Sequence, residues 1–225
     1  MSQRYPLSWS RRLACLFFPE RCLLCGRVVH PGVLFCAACE EALPPRPALR
    51  RIGMPGREPL PTAAVMPYRG RWRRCLLRYK FQGCRSLARQ LGWLMAQAGA
   101  DLLGGEFDAA VYVPLGKKRR REREYDQSQL LARNIGLFLG VPVLDALEKV
   151  KDTKTQHELG RAERLHNLDQ AFRCSMDLTG RRVLLVDDIV TTGATLREGA
   201  KELYRAGAIE VCCLCTATAR FAAKP

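Results

Sequence analysis

Hydrophobic positions along the chain follow two habits: unbroken aliphatic runs, and longer stretches with apolar residues three or four apart. The purest run lies at 183–186, and largely apolar ones at 109–115, with Tyr112 and Pro114, and at 209–217, with Glu210 and Thr216. An aliphatic run without polar alternation marks a strand covered on both faces, and Val141-Pro142-Val143 predicts a further short strand. The spaced stretches predict helices. Within 68–83, Trp72, Cys75, Leu76 and Tyr79 share one helical face and basic residues the other. A second helix is predicted from Ser86 to about residue 98, with Leu87, Leu91, Leu94 and Met95 inward. A third covers 127–139, capped by Asp126 and stopped by Gly140. A fourth covers 195–205, closed by Gly207. The aromatic and Met positions in these helices read as core. Residues 44–61 hold six prolines and little periodicity, and read as a linker. Residues 149–167 are polar with few apolar anchors, and predict a mobile loop with a helical piece. Strands alternating with helices predict an α/β fold, a parallel sheet with right-handed crossovers.

The run 183–186 feeds Asp187-Asp188-Ile189-Val190 and then Thr191-Thr192-Gly193-Ala194-Thr195. Buried strands of open α/β sheets end at the ligand crevice. The two carboxylates are therefore expected at the strand's carboxyl end, with 191–195 in the loop that opens the next helix. That loop offers backbone N–H groups, three hydroxyls and the positive end of a helix dipole, the parts of a phosphate cradle. Gly193 supplies the freedom a tight anion-binding turn needs. Carboxylates beside such a cradle do not bind phosphate directly; they suit sugar hydroxyls, or a metal ion carried in by the ligand. A Walker B strand also ends in acids, but its partner G-x-x-x-x-G-K-[ST] loop is absent from the sequence. A buried strand with an ordinary polar turn does not account for paired acids this close to Thr-Thr-Gly.

Cysteine usage adds a second site. Cys22-Leu23-Leu24-Cys25 and Cys36-Ala37-Ala38-Cys39 are two C-x-x-C pairs with ten residues between them, a spacing that suits a four-thiolate tetrahedral zinc site. The segment is too short to bury a core alone, so metal would supply its folding free energy. Four thiolates leave no open position, which makes such a site structural. A redox C-x-x-C and a knuckle that has lost its metal are the competing readings. The other seven of the eleven cysteines, Cys212, Cys213 and Cys215 among them, read as small core hydrophobes. The 225 residues accommodate a module over 1–50 and a main domain over 51–225.

No apolar run approaches the roughly 18 residues of a membrane span. The apolar stretch 13–18, after Arg11 and Arg12, is too short for a signal-peptide core and lacks a small-residue cleavage site. A cytoplasmic protein is expected, in which thiols serve metal and packing rather than disulfides. The formal charge is +15, concentrated in Arg69, Arg71, Arg73, Arg74, Arg78 and Lys80 and again in 117–123. Such clusters attract nucleic acid or phosphorylated small molecules, and also occur as solvated faces of arginine-rich proteins.

The acid pair with its small loop resembles the phosphoribosyl-pyrophosphate (PRPP) signature of type I phosphoribosyltransferases. Further motifs sharpen this: the double knuckle, Tyr68-Arg69-Gly70 with Lys80-Phe81-Gln82-Gly83, Val113-Pro114-Leu115, and Thr153-Lys154-Thr155-Gln156. Together they resemble the ComF competence-protein family, from about residue 22 to about 218. The resemblance implies a type I phosphoribosyltransferase fold and a link to DNA uptake or DNA use. It implies that Asp187 and Asp188 take the ribose hydroxyls, and that Thr191, Thr192, Gly193, Ala194 and Thr195 take the 5-phosphate. The loop after the first strand, with Gly116 and Lys117, would hold pyrophosphate, and Thr153, Lys154 and Gln156 fit the family's flexible loop. Four positions depart from the pattern: Gly116 stands where a His is usual and Glu124 where a Gly is usual, and, more mildly, Tyr125 replaces a Phe and Asp126 an Asn.

An enzyme of this kind would bind PRPP with magnesium and transfer phosphoribosyl to a nitrogen nucleophile, with Asp187, Asp188 and Lys117 in catalytic roles. The alternative is a non-catalytic protein of the DNA-uptake machinery. It would bind single-stranded DNA, or a helicase-like partner, through the basic face, with the aromatics of 68–81 stacking on bases. A PRPP-responsive transcriptional regulator would need a helix-turn-helix, and none is evident in the sequence.

Overall fold

The unbroken aliphatic run at 183–186 becomes the middle of the sheet: Val183, Leu184, Leu185 and Val186 have no exposed surface. A computed structural model describes residues 4–41, 46–116, 125–150 and 171–220. The helices are α1 (Trp9–Ala14), α2 (Ala37–Glu40), α3 (Gly70–Phe81), α4 (Leu87–Leu103), α5 (Gln127–Leu139) and α6 (Ala194–Arg205). The strands are β1 (Ala48–Met54), β2 (Arg57–Pro67), β3 (Ala109–Tyr112), β4 (Val143–Leu144), β5 (Leu147–Lys149), β6 (Phe172–Cys174), β7 (Arg182–Val190) and β8 (Glu210–Thr218). Six strands form one sheet in the order β1-β2-β8-β7-β3-β4, parallel throughout except for the β1–β2 pair. The short β5 and β6 pair antiparallel on either side of 151–170 in the chain.

Successive residues of a strand point to opposite faces, and the two hydrophobic clusters divide accordingly. Leu184, Val186, Cys212 and Leu214 face α3, α4 and α5, while Val183, Leu185, Cys213 and Cys215 face α6 and the β5–β6 pair. The expected use of Cys212, Cys213 and Cys215 as packing residues holds, since all three are buried. Burial and the nearby Glu210 carboxylate push the Cys212 thiol up to about 12.

The helical expectations hold where caps were legible. Asp126 Oδ1 accepts from the Gln129 amide and Gly140 closes α5 at φ 72°, so this helix has the predicted bounds. In α3 the buried residues are Trp72, Cys75, Leu76 and Tyr79, as their spacing required. The second helix runs farther than expected, to Leu103, because Leu103 is still buried and the stop is Gly104 at φ 85°.

One expectation is overturned. Residues 48–61, part of the expected linker, form β1 and the first half of β2, joined by Pro55-Gly56 with Gly56 at φ 68°. Proline is tolerated here because β2 meets β8 only from Thr62 onward. Pro59 and Pro61 thus precede that pairing, with one side of β2 free of a ladder that would need their amides.

The N-terminal segment has no core of its own. Leu23, Leu34 and Phe35 join the cluster that contains Trp72, Leu76 and Leu91. Phe35 and Trp72 meet edge to face at 5.8 Å. Among the described residues no helix is long and apolar enough to cross a membrane.

Candidate functional site

Chain direction over the sheet marks where a ligand can enter. From β3 the chain crosses through α5 to β4 on one side, and from β7 it crosses through α6 to β8 on the other. The order reverses between β3 and β7, which is where open α/β sheets hold ligands, outside the carboxyl ends of the strands. Asp187 lies in β7 one residue beyond the Tyr112↔Val186 pair, so it faces the point where β3 gives way to its loop. The acids are not at the terminus of the strand, which continues beside β8 to Val190.

Asp187 Oδ1 accepts from Ser128 Oγ at 3.2 Å and from the Asp188 amide at 2.8 Å. Burial, followed by the charge of Asp188, pushes the Asp187 carboxyl up to about 7, against the opposing pull of that amide, Lys80 and Ser128. Asp188 Oδ2 pairs with Lys80 Nζ at 2.6 Å, both side chains largely buried. Lys80 was not among the sequence-derived site residues. Its signal was legible, because 72, 76 and 80 form one row of a helix and a lysine there continues a buried face. Ser128, in the first turn of α5, carried no such signal.

Loop 191–193 separates β7 from α6. Thr191 and Thr192 are exposed, Gly193 and Ala194 buried, and Thr195 half-buried. The amides of Thr191, Thr192 and Gly193 meet no acceptor among the described residues, while that of Ala194 reaches Thr192 Oγ1 at 3.4 Å. Gly193 sits at φ 81°, and a Cβ there would lie 2.6 Å from Ile52 Cδ1. The hairpin that replaced the expected linker therefore dictates glycine at this position. Arg197 Nε, in the first turn of α6, donates to the Gly53 carbonyl at 3.0 Å and holds the same contact.

On the β3 side, Gly116 is buried at the end of its described loop. The Leu115 amide donates to Asp126 Oδ2 at 2.9 Å, so the residue that caps α5 also fixes the start of this loop. Lys117, Thr153, Lys154 and Gln156 lie outside the described residues.

The four knuckle cysteines converge. The sulfurs of Cys22, Cys25, Cys36 and Cys39 all lie within 4.8 Å of one another, with Cys25 and Cys36 3.6 Å apart. Tetrahedral thiolates about 2.3 Å from a zinc ion stand about 3.8 Å apart, so the cluster can hold a metal. Burial pushes the Cys22 thiol up, but the amides of Cys25, Cys36 and Leu24 outweigh it and bring it down to about 7. Arg71 Nη1 lies 3.7 Å from Cys39 Sγ. Arg27, Arg71, Arg74 and Arg78 line a cleft of about 390 Å³ beside Cys25 and Cys36.

The parallel sheet, the switch point and the small loop after paired acids define a type I phosphoribosyltransferase fold, and residues 127–224 match the family model described as Phosphoribosyl transferase domain. The chain is 31% identical over 229 residues to the DNA utilization protein YhgH of Salmonella typhimurium, covering 89% of this chain and 98% of that protein. It is 36% identical over 142 residues to Competence protein F of Haemophilus influenzae, covering 60% and 62%. A solved structure of the allosteric regulatory enzyme of purine biosynthesis is 27% identical, covering 58% of this chain and 25% of that one at a TM-score of 0.41. The chain belongs to the ComF family of competence and DNA-utilization proteins.

Proposed function

We propose that the protein binds PRPP and transfers its phosphoribosyl group to a nitrogen nucleophile during the use of imported DNA. The observation that carries this reading is the meeting, at the sheet's switch point, of Asp187, Asp188 and Lys80 with a loop whose amides are free. The ribose hydroxyls donate to Asp187 and Asp188. The 5-phosphate lies on Thr191, Thr192, Gly193, Ala194 and Thr195, at the positive end of α6. Gly116 gives the pyrophosphate close access to the backbone after β3, and Lys117 neutralises it as it leaves. Charge that develops on the ribose carbon is stabilised by the two carboxylates. Thr153, Lys154 and Gln156 act in the cover that excludes water. Magnesium accompanying PRPP supplies charge neutralisation at the phosphates. Zinc on Cys22, Cys25, Cys36 and Cys39 is structural, and the protein works in the cytoplasm.

A second reading makes the protein a binder of single-stranded DNA or of a helicase-like partner, and the arginine-lined cleft beside the cysteines favours it. Of the aromatics expected to stack on bases, Trp72 and Tyr79 belong to the core, which leaves Phe81, 65% exposed, and the half-buried Tyr68 for that role. Phosphate contacts would carry it, with steep salt dependence.

Calorimetric titration with magnesium and PRPP tests the first reading. Wild type should bind, and Asp187→Asn/Asp188→Asn should lose at least about tenfold in affinity, more than 1.4 kcal/mol. Flat heats with folded wild type, alongside salt-sensitive binding of single-stranded DNA that the double variant retains, would transfer the assignment to the second reading.

A further inference from the structure

The N-terminal helical segment is turned inside out. Trp9, Leu13, Leu16, Phe17 and Phe18 are 82%, 59%, 78%, 82% and 80% exposed, and α1 buries none of its residues. Helical turns continue past α1, with the Cys15 amide on the Arg11 carbonyl, Leu16 on Leu13 and Phe18 on Ala14. Residues 9, 13, 16 and 17 therefore fall on one stripe, the spacing of an amphipathic helix. On the other side the half-buried Ala14 and Cys15 turn toward Glu20. Cys15 Sγ approaches Glu20 Oε1 at 3.9 Å and Arg11 Nε approaches it at 4.0 Å. A cleft of about 340 Å³ between this segment and the knuckle module extends the surface, with Arg12, Leu16, Pro19 and Val28 on its walls. Val28 is itself 58% exposed.

Charge decides what covers this face. The first nineteen residues contain Arg4, Arg11 and Arg12 and no carboxylate, in a chain of formal charge +15. The nearest acid, Glu20, is held on the Cys15 and Arg11 side with only 10% of its side chain exposed. An apolar stripe of Trp, Leu and Phe flanked by arginine matches an interface of acyl chains beneath anionic headgroups. Bases of a nucleic acid would use the aromatic rings but leave Leu13 and Leu16 without partners. The segment is far too short to span a bilayer.

We infer that residues 9–18 form a peripheral anchor, which lies in the surface of a membrane rich in anionic lipid. The test is flotation of the full-length, metal-loaded protein with vesicles of phosphatidylcholine alone or mixed with phosphatidylglycerol. Association with the mixed vesicles is expected, with a blue shift of Trp9 emission, weakening in high salt and little binding to phosphatidylcholine alone. Phe17→Ser/Phe18→Ser should lower partitioning at least about tenfold, with unchanged circular dichroism and metal content, because neither side chain packs in the fold. Arg11→Gln/Arg12→Gln should lower binding to mixed vesicles alone. Three results would overturn the inference: no flotation with mixed vesicles, equal flotation of wild type and the Phe variant, or a concentration-dependent dimer that the Phe variant abolishes, which would assign the face to a second copy of this chain.

Discussion

The thiol cluster and the acid pair are built on opposite plans. Four cysteines from one short stretch, at 22, 25, 36 and 39, already lie within 4.8 Å of one another. The acid pair draws its neighbours from across the chain: Lys80 from α3, Ser128 from α5, and Ile52 from the hairpin behind Gly193. A site whose ligands are local can be read from spacing, and a metal held there would supply much of its stability. A site assembled at a sheet's switch point depends on the whole fold, and its electrostatics are set by residues brought from several separate elements. The helix α3 joins the two. Arg71 and Arg78 reach the knuckle, at Cys39 Sγ and the Leu23 carbonyl, and Lys80 reaches Asp188.

The sharpest way to break this contrast is to remove the metal. Structural zinc sites of this kind contribute on the order of 10 kcal/mol of folding free energy, so Cys22→Ser or a strong chelator should give the largest effect. Bound zinc should fall from one per chain, and the thermal transition should drop or lose cooperativity as Leu23, Leu34 and Phe35 leave the shared cluster. Well under one zinc per chain in protein purified without chelator, with an unchanged transition, would remove the metal assignment.

Lys80→Met comes next. It leaves Asp188 beside Asp187 without its cation, so PRPP affinity should fall by roughly tenfold and the pH at which binding is half-maximal should move upward. Unchanged affinity together with an unchanged pH profile would make Lys80 a bystander. A knuckle independent of the acid pair would keep its zinc in this variant, which sharpens the comparison from the other side.

The smallest expected effect is the pH dependence of the wild type. The Asp187 carboxyl is raised to about 7, so the fold favours its neutral form. Its contribution to stability is therefore greatest below the ordinary carboxylate value near 4 and is lost as pH rises through about 7. Ribose hydroxyls need the ionised carboxylate as acceptor, so PRPP affinity should rise between pH 6 and 8, by at most about tenfold per unit. Calorimetry across that range checks the sign. An affinity that falls with pH would mean that Asp187 binds protonated or not at all.

Much of the fold was legible because its signals were local. The caps Asp126 and Gly140 set α5, the row 72, 75, 76 and 79 set the buried face of α3, and the run 183–186 set the central strand. The β1–β2 hairpin was missed because proline density is a statement about backbone amides. Whether a missing amide matters depends on which strand lies alongside, and β8 begins its pairing only at Thr62. Pro55-Gly56 was the available hairpin signal. In the site, Asp187, Asp188 and 191–195 were legible as a strand-to-helix turn. Ser128 was not, because its role exists only once α5 has packed beside β7.

The place of β2 in the sheet bears on how the protein comes into being. It stands between β1 and β8, and Arg50 of the hairpin donates to Thr218, 168 positions later in the chain. On the ribosome the acid pair and its turn therefore emerge before the last strand that fixes them, and the hairpin waits from early in synthesis with one edge unpaired. Pairings of such long sequence separation form slowly. Until β8 is released and inserts, the nascent chain has a partly finished sheet, and the candidate site around Asp187 and Asp188 is incomplete.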